Sequence, residues 1–519
     1  MNKKVAYHLP VARAVTLVAL LSLLALPSPA WAQTARPWPN WGQNLNNTRF
    51  QASEQTINTN NVSQLIPKWV FHTAGDVSAT ASVVNGAVYF PDWAGFLYKI
   101  DAQTGLLLWR TAISSYTGIT GDVSRTTPAV NGNTLYVGTQ AGAYLLAIDA
   151  RNGSLVWKTQ IDSHPTAVLT QSPTVYSGKV LIGVSSNEEI LASNPIYPCC
   201  TFRGSMTAVD ASSGQILWKT YMVPDNGGQP GGYAGAAVWG SSPSVDPERN
   251  AVYIATGNNY SAPQSMQDCE ANVKAGQPDN CASPDDHFDS MLSLSLNTGQ
   301  INWARRLSQY DAWTVSCIGL PGPNCPKPQG SDYDFGQAPM LFSIRISGKM
   351  TDVVGAGQKS GVFWTLNRDT GEVVWGTIAG PGGLDGGMQW GSAIDGTSIY
   401  YQDANFNQTP YPLKNAATTT GGFWGALDPA SGRIAWQTAD PTQQIDPGPV
   451  SAANGVVYAG SFSGDMYALD GHTGRILWNF HTTGSINAGP AIVDGVLYWG
   501  TGYSPLGQPG NSFYAFSLP

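Results

Sequence analysis

Short runs of alternating apolar and polar residues recur along the whole chain, separated by glycine and asparagine. Pro490 to Tyr498 is representative: an apolar run, Asp494-Gly495, then Val496-Leu497-Tyr498, the pattern of two strands joined by a tight turn. After most such pairs Asp, Gly and Trp follow at constant spacing. The copies are Asp101-x3-Gly105-x3-Trp109, Asp149-x3-Gly153-x3-Trp157, Asp210-x3-Gly214-x3-Trp218, Asp428-x3-Gly432-x3-Trp436 and Asp470-x3-Gly474-x3-Trp478. Two more keep Gly and Trp but start on Ser295 (Gly299, Trp303) and Asn367 (Gly371, Trp375). In each copy a strand, an Asp-x3-Gly turn and a second strand ending in Trp are expected.

One such four-stranded sheet cannot bury both of its faces, whereas sheets stacked radially can. The repeated tryptophans are therefore expected to pack between sheets rather than to form a site. Trp69, in Pro67-Lys68-Trp69-Val70-Phe71, has no hairpin before it, and Phe513-Tyr514-Ala515-Phe516 has no Trp after it. Joined, the two ends make an eighth blade, so the expected fold is all-β, an eight-bladed β-propeller closed by N- and C-terminal strands in one blade. The intervals from Trp218 to Trp303 and from Trp303 to Trp375 are longer than the rest, and the excess is expected as loops that carry binding groups.

Composition narrows the picture. Charged residues make up 12%, beside 58 Gly, 35 Pro and 18 Trp, which excludes a helical or disordered chain. The net charge of −8 is spread along the sequence and excludes nucleic-acid binding, which needs clustered Lys and Arg. Lys3, Lys4 and Arg13 precede the apolar run from Ala14 to Leu26, and Ala30-Trp31-Ala32 follows as a cleavage site. Residues 1–32 are expected to be an export signal, and 33–519 a periplasmic or secreted propeller with no membrane span. Six cysteines in an exported chain suggest disulfides; 15 pairings are open, and the simplest joins neighbours: Cys199 with Cys200, Cys269 with Cys281, Cys317 with Cys325. There is no Cys-x-x-Cys-His for a covalent haem, no His-Glu-x-x-His, no phosphate loop and no Gly-x-Ser-x-Gly.

The Trp-terminated repeat, over nearly all of 33–519, resembles the alcohol dehydrogenases that depend on pyrroloquinoline quinone (PQQ). Pro198-Cys199-Cys200-Thr201-Phe202-Arg203-Gly204 and Trp38-Pro39-x-Trp41-Gly42 look like the polyvinyl alcohol dehydrogenase branch. The resemblance implies PQQ and a bound Ca²⁺, with a lanthanide as the alternative. It implies an alcohol or polyol as substrate and, without a haem motif, an external cytochrome c as electron acceptor. A similar propeller serves as a non-catalytic scaffold for exported proteins, and a PQQ sugar dehydrogenase is a further alternative, so the site residues carry the functional reading.

Carried over by motif, Thr170 and the stretch Ser185-Ser186-Asn187-Glu188 fall where the family holds the quinone, and Glu188 where its glutamate ligates the metal, with adjacent Glu189 one residue out of register. Asn258 matches the amide ligand, and oxygen donors of this kind suit a hard cation. Trp239 corresponds to the stacking floor, Arg125 to the partner of a PQQ carboxylate, Lys359 to a basic residue near the quinone oxygens, and Gln389-Trp390 to an amide–Trp pair near the ring. The Cys199–Cys200 ring is expected over the cofactor, opposite the Trp. The family's Asp-x-Trp-Asp has become Asp311-Ala312-Trp313-Thr314, and Asp332-Tyr333-Asp334 follows an insertion. Asp332 is the expected base and a further metal ligand, with Asp334 and Asp311 behind it; a second acid at Asp334 resembles the lanthanide-using branch.

Overall fold

Each repeated tryptophan does the same two things, and together they close a ring. Its indole N–H donates to a carbonyl in the turn of the following blade: Trp69 to Ala102, Trp109 to Ala150, Trp157 to Ala211, Trp218 to Leu296, Trp303 to Arg368, Trp375 to Pro429 and Trp436 to Gly471. Trp478 donates to Leu65, just before the N-terminal strand, at 3.1 Å. In the first seven, the six-membered face of the indole also lies against the glycine of that same turn. A Cβ on Gly105, Gly153, Gly214, Gly299, Gly371, Gly432 or Gly474 would come within 2.4–3.0 Å of the preceding indole. The motif thus records a contact between neighbouring blades. The Asp side chain holds the turn itself, its Oδ1 accepting backbone N–H groups two and three residues on, as Asp101 does from Gln103 and Thr104.

The computed structural model describes residues 1–4, 6, 36–274 and 279–519. Among these, blades 1 to 7 are antiparallel sheets at 82–112, 129–160, 167–221, 244–306, 340–378, 393–439 and 451–481. Blade 8 combines Ala491–Val493, Val496–Gly500 and Ser512–Ser517 with Ile66–His72 from the other end of the chain. Trp69 there pairs with Ala515. One expectation needs correcting: the outer strands do not end at Trp but run on, as in Leu107–Ala112 around Trp109, so the indole sits mid-strand between two blades.

Before blade 8's outer strand, residues 38–51 cross the ring. Their backbones bond to the innermost strands of blades 1, 2, 4, 5, 6 and 7, at Val83, Val130, Val245, Leu341, Ile394 and Ala452. Arg49, fully buried, donates to the carbonyls of Trp41 and Val450 at 2.7 Å and stacks over Trp41. This segment covers one end of the channel, which leaves the loops at the other end to build a site.

All three neighbouring cysteine pairs are disulfides, and no cysteine is left free. Arg36–Pro519 form one compact unit. The expected signal and cleavage site, apart from residues 1–4 and 6, lie outside the described residues. Among the described residues no helix is long and apolar enough to cross a membrane.

Candidate active site

The inner strand Lys179–Ser186 of blade 3 leads directly into a short helix, Glu188–Leu191, and that turn sends two adjacent carboxylates in different directions. Glu188 is fully buried, and both of its oxygens are taken. Oε1 accepts from Thr201 N–H (2.9 Å) and the Tyr197 hydroxyl (3.0 Å), Oε2 from Phe202 N–H (2.7 Å). It anchors the loop that carries Cys199–Cys200. Glu189 is half-buried, yet its Oε1 is out of solvent and has no hydrogen-bond partner. Burial and neighbouring Asp334 push its carboxyl up to about 8, against the pull of Lys359 and the Asn258 amide. Of the two adjacent carboxylates, Glu189 is therefore the one that faces Asn258 and Asp334, while Glu188 is engaged with its own loop.

Asn258, after the strand Ala251–Ala255, donates its amide to the carbonyls of Asn259 (3.0 Å) and Trp313 (2.9 Å). That fixes its Oδ1, also buried and unpartnered, away from those carbonyls. Its backbone N–H donates to Asp334 Oδ1 at 2.7 Å, and the Trp239 indole to Asp334 Oδ2 at 2.8 Å. Gly257 is required here, since a Cβ would lie 2.7 Å from Asp334 Oδ2. The Glu189 and Asp334 carboxylates and Asn258 Oδ1 are hard oxygen atoms of the kind that suits Ca²⁺ or a lanthanide, and Asp332, the further ligand expected from the sequence, interacts with the same carboxylates.

Asp332 is held from two sides. Asp311 accepts the backbone N–H groups of Asp332 (3.0 Å) and Tyr333 (2.7 Å), steadying Asp332 at φ 61°. Lys359, itself buried, donates to Asp332 Oδ1 at 2.9 Å and lies 3.6 Å from Asp334 Oδ2. Burial alone would lower the Lys359 ammonium, but Asp332, Asp334, Asp385 and Glu189 outweigh it and hold it well above its ordinary value. Burial raises the Asp332 carboxyl well above the usual range, with Lys359 opposing and Asp334 and Glu189 adding to the rise. Asp311, one of the two candidate bases behind Asp332, has both of its oxygens engaged by these backbone N–H groups.

A cofactor shelf adjoins this cluster. Lys359 Nζ stands 5.3 Å from the Trp239 ring centroid, and Trp239 meets Trp390 edge to face at 5.1 Å. Arg125 lies 4.1 Å over Trp390 and near Trp93 and Tyr503, with no carboxylate partner among the described residues. Arg125, Thr170, Trp390 and Ser241 line one cavity with Trp41, which belongs to the segment that crosses the channel. Thr170 Oγ1, Gln389 Nε2 and Trp390 Nε1 are buried without partners. What is left unpaired, an aromatic face, a guanidinium without a carboxylate and several orphaned polar atoms, is the chemistry that a flat, polyanionic quinone would pair with. The disulfide belongs to the same apolar cluster as Trp239, with Cys200 fully buried.

Three expected contacts are placed differently. Ser186 bonds to Thr166 and to the Glu188 N–H, so it is part of the helix start. Ser185 is buried in the strand beside it, and Asn187 is exposed on a neighbouring groove with Thr166 and Leu191. Asp289 went unnoticed in the sequence. It is fully buried next to Asp311, and both its oxygens lack partners; burial and Asp311 raise its carboxyl well above the usual range.

The family described as "Glucose/ethanol/alcohol dehydrogenase, beta-propeller domain" (PQQ) matches residues 38–125 and 162–381, the region that contains all of these side chains except Asp385, Gln389, Trp390 and Tyr503. The chain belongs to the PQQ-dependent alcohol dehydrogenases. Polyvinylalcohol dehydrogenases from Pseudomonas sp and Sphingopyxis sp. (strain 113P3) are 29% and 27% identical, over 93% and 95% of this chain and 77% and 78% of theirs. Together they place this dehydrogenase on the polyvinyl alcohol dehydrogenase-like branch. The crystal structure of the quinohemoprotein alcohol dehydrogenase from Comamonas testosteroni superposes with a TM-score of 0.70 at 23% identity, covering 93% of this chain and 80% of that one. A europium-containing methanol dehydrogenase gives 0.66 at 18%, covering 93% and 98%. Residues 424–517 match the outer membrane protein assembly factor BamB, but none of the site's acids, nor Lys359, lies there.

Proposed function

We propose that this dehydrogenase oxidises secondary alcohols, polyvinyl alcohol among them, with PQQ and Ca²⁺ bound in the channel, and passes the electrons to an external cytochrome c. The observation that supports it best is the pair of orphaned buried acceptors, Glu189 Oε1 and Asn258 Oδ1, beside Asp334 and within the reach of Lys359. Glu189, Asn258 and Asp334 would hold the cation; Trp239, Arg125, Thr170, Gln389 and Trp390 would hold the quinone, with Cys199–Cys200 above it. When bound, the quinone supplies the hydride acceptor and the cation polarises it.

The chain's own residues handle the proton. Asp332 accepts it from the substrate hydroxyl; Asp311 fixes the base through the backbone, and Lys359 keeps its carboxylate available against the neighbouring negative charge. The leader-like residues 1–32 support export to the periplasm or beyond. Asp332→Asn tests the assignment: PQQ still binds, while turnover falls by orders of magnitude. Near-normal turnover would take the role of base away from Asp332.

A further inference from the structure

In every blade a backbone N–H just after the outer strand donates to the carbonyl of a corner residue just before the strand inside it. The corner is Gly in blades 1, 3, 5, 6 and 7, Ala143 in blade 2 and Asn511 in blade 8. Blade 4 puts an acid there, Asp289, at φ 44°, in the left-handed region that favours glycine. The backbone does not ask for this side chain, since Gly would suit the corner better.

Asp289 is pinned where it stands. Its N–H donates to the Gly257 carbonyl at 3.0 Å, and its own carbonyl accepts from Leu307 at 3.0 Å. Its side chain is fully buried and faces Asp311. Among the described residues no N–H reaches either of its carboxyl oxygens. The charged groups that act on it most are Asp311 and Asp334, both acids.

We propose that Asp289 is a positioning residue that donates a hydrogen bond to Asp311 and through it holds Asp332 in place. The proposal rests on the reading of Asp332 as the base and adds a residue behind it. Two facing carboxyls in a buried place repel unless one of them keeps its proton; the contact then becomes a charge-assisted hydrogen bond. The proton belongs on Asp289. Asp311 already accepts the N–H groups of Asp332 (3.0 Å) and Tyr333 (2.7 Å), which favour its ionised form, whereas Asp289 accepts none.

The consequence for the base is geometric. Asp332 stands at φ 61°, its N–H tied to Asp311 and its carboxylate to Lys359 at 2.9 Å. With the donor gone, the Asp311 carboxylate can swing into the space that Asp289 leaves, and Asp332 loses its fixed support. A displacement of about 1 Å can cost about 100-fold in rate. Asp289 is not among the groups assigned to quinone or cation, so their binding should be spared.

Two variants separate this role from packing. Asp289→Gly gives the corner the residue that five other blades use, and Asp289→Asn keeps the shape and an N–H that can donate to Asp311. In the PQQ- and Ca²⁺-loaded enzyme, Asp289→Gly is expected to keep the parent's quinone absorbance and KM for a secondary alcohol, while kcat falls about ten-fold or more. Asp289→Asn is expected to stay within about three-fold of the parent kcat. In the cofactor-free chain, hydrogen exchange of the Asp332 and Tyr333 amides should quicken about ten-fold or more in Asp289→Gly and not in Asp289→Asn. If Asp289→Gly fails to fold, Asp289→Ala carries the same test, since Ala143 already holds this corner at φ 47°. Parent-like kcat and exchange in Asp289→Gly would overturn the proposal, because a residue that only packs allows both. So would an Asp289→Asn as slow as Asp289→Gly, or a loss confined to KM or to PQQ affinity. Unchanged turnover in Asp332→Asn would instead refute the base assignment, and the exchange result alone would then decide whether Asp289 holds Asp311.

Discussion

Replacing Glu188 and Glu189 one at a time by alanine separates two roles that lie one residue apart. In Glu188→Ala the buried N–H groups of Thr201 and Phe202 lose acceptors at 2.9 and 2.7 Å. A buried donor left unpaired costs about 1–3 kcal/mol, so the pair costs about 4 kcal/mol. At about 1.4 kcal/mol per decade this is roughly a thousand-fold rise in local opening. Hydrogen exchange of the metal-free protein, read over residues 197–203, measures it directly. Glu189→Ala should leave exchange there nearly unchanged, because Glu189 Oε1 has no partner to lose. Metal affinity, followed by calorimetry or by sensitised lanthanide emission from the nearby tryptophans, should show the reverse order: a large loss in Glu189→Ala and a small one in Glu188→Ala. If Glu188→Ala abolished metal binding while the loop stayed protected, the assignment of the two carboxylates would be wrong.

Gly257→Ala should push Asp334 aside, since the added Cβ would stand 2.7 Å from its Oδ2; metal affinity measured by calorimetry should drop at least ten-fold with the fold retained. Burial pushes the Asp403 carboxyl up to about 8, so the folded chain binds a proton that the unfolded chain has released. Asp403 therefore makes stability fall as pH rises from about 4 to about 8, by up to about 1.4 kcal/mol per pH unit. Urea unfolding at pH 5 and pH 8 should show a smaller loss in Asp403→Asn than in the parent; an equal loss would refute this.

The ring was legible because its motif is a contact. Asp, Gly and Trp recur at one spacing since the Trp of each blade packs on the Gly of the next and bonds to the turn that the Asp holds. Closure by Trp69 followed from two incomplete blades. What lay beyond sequence was orientation. Glu188 and Glu189 are equivalent as letters, and only the helix turn after Ser186 decides which faces Asn258. In the same way Asp311 sits in the recognisable Asp-x-Trp context, yet its oxygens are spent on the backbone of Asp332 and Tyr333, contacts made across the inserted loop. Asp289 carries no motif at all; only its position beneath Asp311 marks it. The channel-crossing segment was visible as Trp38-Pro39-x-Trp41-Gly42, but not its path across the blades.

The account's central claim is that quinone, cation and the Asp332 cluster act as one site. Its most direct test is reconstitution of the purified, chelator-treated chain, followed by quinone absorbance and by dye-linked oxidation of a secondary alcohol. The account predicts one PQQ per chain, bound tightly only with Ca²⁺ or a lanthanide present, and activity that appears with both and disappears on chelation. Alcohol oxidation by protein free of both PQQ and metal, or PQQ binding indifferent to the cation and to Glu189→Ala, would contradict it.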